Sequence, residues 1–132
     1  MMKNPTRFFT IILGIILILQ GTSTLLFRLI PALDQAFPQL LSITQMVPTH
    51  SILHIVTGLI AFWILFKGGE HGTVWFTIGF TLFYTGLALY GFITHAMTVF
   101  HLQPFDHPVH LLFGLAGMAA LGIHFYNTRR TA

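Results

Sequence analysis

Four long apolar stretches separated by short polar clusters run through this chain. A bilayer core takes about 20 mainly apolar residues per helix, and each stretch reaches that length or comes close. The first covers residues 8–30 and is ended by Pro31. The second covers 49–66 and stops at the turn Lys67-Gly68-Gly69-Glu70. The third covers 73–100. The fourth covers 108–126, opened by Pro108, a residue suited to a first helical turn, and closed before Asn127-Thr128-Arg129-Arg130. The pattern predicts an all-α integral membrane four-helix bundle, with residues 1–132 forming one domain that no linker or low-complexity tract divides. Between the first two spans, the segment from Pro31 to Pro48 contains Leu40 to Met46, apolar enough to lie at the membrane interface. The connection from His101 to His107 is short and polar.

Composition sharpens the class. Hydrophobic residues make up 55% of the 132 and charged residues only 7%, with a mean hydropathy of +0.80. Soluble domains carry roughly a quarter charged residues, so no solvated surface can be built here, which excludes a cytosolic enzyme, a nucleic-acid binder and a disordered tail. The net charge of +3 comes from six basic and three acidic residues, the basic ones mostly at segment ends. With the N-terminus inside, Lys3, Arg7, Lys67, Arg129 and Arg130 are cytoplasmic and only Arg28 lies outside. That bias predicts a multi-pass membrane protein with both termini in the cytoplasm. Lys3 and Arg7 before an apolar run also resemble the start of a signal peptide, but no small-x-small cleavage site follows, so the first stretch reads as an uncleaved span. The absence of cysteine excludes disulfides, thiolate metal sites, covalent c-type haem and Cys-ligated iron–sulfur clusters.

The second and fourth spans open alike. His50 to Leu59 can be laid over Asp106 to Leu115 at a shift of 56 residues, the distance from His54 to His110, and His-x-x-x-Gly-Leu matches in both copies. Two span–outer loop–span units in series then have one orientation, as parallel repeats about an axis near the membrane normal. The first and third spans match only loosely. The paired motif, with Asp106 before His110 and Gly14 to Gly21 in the first span, resembles a family of short bacterial four-span membrane proteins classed as a domain of unknown function. The resemblance implies this architecture in a bacterial inner membrane and no particular reaction; His50 and the His-bearing third span are not matched to its pattern.

Residues three, four and seven apart share a helix face. One face of span two carries His50, His54, Gly58, Ala61 and Leu65; span four carries Asp106, His110, Gly114, Gly117, Leu121 and His124. Span three offers Tyr84, Ala88, Gly91 and His95, and span one Gly14, Gly21 and Arg28. Small residues let membrane helices approach closely, which places His54, His95, His110 and Arg28 toward the bundle interior near its outer mouth. Six of the eight histidines, His50, His54, His95, His101, His107 and His110, fall toward the outer side. Imidazole is a common ligand for Zn, Cu and Fe. His50, His54, His110 and Asp106, with His95 as a further candidate, form an N/O ligand set suited to Zn(II) or Cu(II).

Other readings stand beside this one. His54 and His110 could be neutral imidazoles bonded to carbonyls or to each other. They could hold a b-type haem or a pigment, with a glycine one turn deeper clearing the macrocycle. The chain could instead be an accessory or assembly subunit of a larger membrane complex, working through its lateral helix faces. No nucleophile elbow, phosphate loop or di-iron motif points to an enzyme, and Glu70 reads as a solvated turn residue. In every version His54 and His110 are expected to face each other across the pseudo-axis.

Overall fold

A computed structural model of the chain describes residues 4–94 and 101–131. The described residues form six helices: α1 (Pro5–Leu29), α2 (Pro31–Ala36), α3 (Gln39–Thr44), α4 (Pro48–Lys67), α5 (Gly69–Thr94) and α6 (Asp106–Thr131). Four of them, α1, α4, α5 and α6, are long and apolar enough to cross a membrane. Local chemistry sets their starts. Asn4 caps α1 by accepting the backbone N–H of Arg7 at 2.9 Å, and Pro5 occupies the first turn, where its missing N–H costs nothing. Pro48 plays the same part in α4. At the α4–α5 junction Gly69 takes φ +57°, a left-handed conformation that favours glycine, so one helix passes straight into the next. As a result α5 begins at Gly69 rather than near residue 73, and α6 extends beyond residue 126 to Thr131. The interfacial segment expected between the first two spans is the pair of short helices α2 and α3.

The bundle is assembled from two helix pairs: α1 packs chiefly along α4, and α5 chiefly along α6. Glycine sets the closeness of each seam. A Cβ on Gly21 would stand 2.5 Å from the Ser51 carbonyl, and one on Gly58 would stand 2.6 Å from Ile18. In the other pair, Gly91 is filled by the ring of His107, and Gly114 and Gly117 by the hydroxyls of Thr85 and Thr81. These contacts need small residues, because van der Waals packing drives helix association in lipid.

The two pairs are repeats at the level of burial. A shift of 56 residues carries buried Met46, His50, Ser51, His54, Gly58 and Ala61 onto Leu102, Asp106, His107, His110, Gly114 and Gly117, all buried. A shift of 67 carries Thr6, Thr10, Leu13, Gly14, Leu17, Gly21 and Thr24 onto Thr73, Thr77, Phe80, Thr81, Tyr84, Ala88 and Gly91, again all buried. The excess of 11 residues, 67 against 56, is the longer connection that holds α2 and α3.

Equivalent residues also meet. The Thr6 and Thr73 hydroxyls are 3.2 Å apart, and Leu13 and Leu17 form one cluster with their counterparts Phe80 and Tyr84. Contacts between equivalent positions are the mark of a two-fold relation, so a pseudo-two-fold axis runs down the bundle. Several buried hydroxyls are satisfied within their own helices: Thr10 donates to the Thr6 carbonyl, Thr24 to Gln20 and Thr77 to Thr73. The outer surface is apolar, with Leu19, Leu82 and Ile93 exposed along the spans, as lipid contact requires.

Candidate functional site

The first two turns of α4 and α6 lie on the pseudo-axis, and there the interior changes from apolar to imidazole. His50 and His54, four apart on α4, share the face turned inward; His110 meets them from α6. Their residues are 1%, 3% and 3% exposed. Ring centroids are 4.6 Å apart for His50–His54, 5.8 Å for His50–His110 and 6.4 Å for His54–His110. One nitrogen from each ring can be chosen so that all three lie within 4.8 Å of one another. Ligands on a single Zn or Cu ion at about 2.0–2.1 Å sit closer than that, by an amount that small ring rotations close.

Tyr84 forms the floor of the cluster. Its ring stacks on Phe80 at 4.0 Å and meets His110 edge-on at 4.8 Å, separating the imidazoles from the core around Leu13 and Leu17. Met46 and Leu102, four residues before His50 and Asp106 and just outside α4 and α6, are both buried.

Both nitrogens of His50, both of His54 and Nδ1 of His110 are buried without a hydrogen-bond partner among the described residues, as is the Tyr84 hydroxyl. Leaving a buried polar group unsatisfied costs about 1–3 kcal/mol each. The carboxylate of Asp106 lies 3.9 Å from His50 Nδ1, too long for a hydrogen bond and near enough for electrostatic pairing. It is held by the backbone N–H of Gln103, which donates to Oδ2 at 2.7 Å. Asp106 and His50 are equivalent positions in the two repeats, so the axis that pairs His54 with His110 pairs an imidazole with a carboxylate one turn outward.

The remaining candidates fall elsewhere. The compact ligand group consists of His50, His54 and His110, with Asp106 beside His50 alone. His95 lies outside the described residues. His101 is exposed, with φ +49°, and His107 is buried against Gly91. Arg28 departs from the expected inward position: it is exposed and its Nε donates to the Met46 carbonyl, because it lies past the point where α1 is covered by α4. Glu70 is largely exposed, with His124 Nδ1 at 3.6 Å. The glycines below the histidines hold helices together: Gly58 is filled by Ile18 and Gly114 by Thr85. The His50 and Tyr84 rings also stand close to the His54–His110 pair. Tyr84, expected only on the small-residue face of span three with Ala88 and Gly91, joins the site as its floor; the His-x-x-x-Gly-Leu spacing carries no signal for that role.

Residues 7–126 match the family described as Domain of unknown function (DUF4383), and the chain belongs to that family. No curated protein and no solved structure matches it.

Proposed function

We propose that this membrane protein binds one transition-metal ion, Zn or Cu, on His50, His54 and His110 at the outer end of its bundle, with Asp106 orienting His50. The observation that carries this reading is the convergence of three buried imidazoles, five of whose six nitrogens find no hydrogen-bond partner among the described residues. Imidazoles bonded to one another or to carbonyls would have satisfied those atoms; an ion satisfies one lone pair on each ring at once. Metal-bound histidine commonly directs its other ring nitrogen at a carboxylate, and the placement of Asp106 beside His50 Nδ1 fits that habit. The role is binding rather than catalysis, because imidazoles only 1–3% exposed give a substrate little access. The excess of Lys and Arg at the opposite end supports an orientation with both termini in the cytoplasm and the metal near the outer face.

The test is elemental analysis of the detergent-solubilised chain after growth in metal-supplemented medium. One ion per chain is expected, with His54→Ala and His110→Ala each losing it while helical content is kept. Wild-type protein that is metal-free and takes up neither Zn nor Cu on titration defeats the reading.

A further inference from the structure

We infer that the ion is cuprous copper, three-coordinate on His50, His54 and His110 and charge-balanced by Asp106; this rests on the metal site proposed above. Donor number is the first argument. The ligand group found among the described residues has three members, all neutral nitrogen donors. Structural zinc takes four protein ligands, and three-ligand zinc sites keep a water in the open position. Here the imidazoles are 1–3% exposed and Tyr84 forms a 1% exposed floor, so the described ligands offer a solvent molecule almost no exposed surface. Cuprous copper is satisfied by three donors, and imidazole suits copper.

Charge is the second argument. The cost of moving an ion out of water grows with the square of its charge, and in low dielectric it is large. Of the three acidic residues, Asp34 lies on α2 and Glu70 at the opposite end of the bundle, which leaves Asp106 beside the cluster. A divalent ion with one carboxylate leaves the buried site at net +1; a monovalent ion leaves it neutral. Asp106 stands 3.9 Å from His50 Nδ1, within reach of a small closure onto that nitrogen once His50 Nε2 holds the ion, and the Gln103 N–H fixes the carboxylate.

Anaerobic titration of the full solubilised chain with Cu(I), and separately with Zn(II), each against a competing chelator, tests this. One Cu(I) should bind per chain, with Zn(II) about tenfold or more weaker, as expected for an uncompensated charge. X-ray absorption should count three nitrogen neighbours on the copper. Asp106→Asn, which keeps an oxygen for the Gln103 N–H, should lower Cu(I) affinity about 10- to 100-fold without loss of helicity. Zn(II) binding as tight as Cu(I), or four-coordinate copper, overturns the cuprous assignment and leaves the metal site standing. An Asp106→Asn protein with wild-type Cu(I) affinity overturns the charge balance. Binding of neither ion overturns the metal site itself.

Discussion

Single side chains in this bundle are sorted by whether a neighbour occupies the space beside them. Gly21 has the Ser51 carbonyl at 2.5 Å from where a Cβ would sit, whereas a Cβ on Gly79 would meet nothing within 4 Å. Gly21→Ala should therefore destabilise the protein by about 1–3 kcal/mol, because a backbone must move. Gly79→Ala should be neutral or stabilising by up to about 1 kcal/mol, through helix propensity alone. Thermal unfolding in detergent, followed by circular dichroism, separates the two; equal effects would mean that the seam is not glycine-set. Tyr84→Phe removes a buried hydroxyl without a partner while keeping the ring that packs on Phe80 and His110. Stability should stay equal or rise, because an unsatisfied group is lost with no change of shape, and metal content should be unchanged. A variant that loses the metal would place the phenol oxygen among the ligands. At this scale the sequence makes His54 and His110 legible, since polar residues at membrane depth are rare and stand out at matched spacing. Asp106 as a partner of His50 alone, and Tyr84 as the floor, depend on how four helices meet, which a one-dimensional spacing does not contain.

The helices show a similar division between what is readable and what is not. The spans are legible because their length and hydropathy are dictated by the bilayer, and the α4–α6 repeat because two histidines mark it. The α1–α5 correspondence is harder to see: Thr6 and Thr10 answer to Thr73 and Thr77, but Leu13 answers to Phe80, Gly14 to Thr81 and Leu17 to Tyr84, so position is kept throughout and residue type only near the start. In such apolar helices the inward stripe is marked by small residues rather than by a hydrophobic one. Helix ends are set by backbone conformation. Gly69 at φ +57° joins α4 to α5, and Gln45 at φ +46° ends α3. Gly69→Ala should cost about 1 kcal/mol in unfolding free energy and Gln45→Gly should gain up to about as much, since a Cβ is disfavoured in the left-handed region. Opposite signs in the same denaturation assay are the expected result; a stabilising Gly69→Ala would contradict the strained junction.

For the molecule as a whole, orientation decides which compartment would supply the proposed ion. The histidine cluster and the α2–α3 segment share one end of the bundle, and the α4–α5 turn lies at the other. At that second end Arg7 donates to the Leu65 carbonyl in the last turn of α4, a favourable place for a cation. Lys67 and the Arg129–Arg130 pair gather there too, in the last turns of α4 and α6. Retaining basic residues on the cytoplasmic side is the rule for short loops, so the histidines should face outward. The chain has no cysteine, which makes single-cysteine mapping direct. Ser42 on α3 and Glu70 at the start of α5 are both exposed, one at each end. In intact cells Ser42→Cys should react with a membrane-impermeant maleimide, and Glu70→Cys should react only after the membrane is opened. The reverse pattern would turn the bundle over and make the cytoplasm the source of the metal. It would leave the cluster's geometry intact, because the pseudo-two-fold contacts that bring His54 to His110 do not depend on which side of the membrane they face.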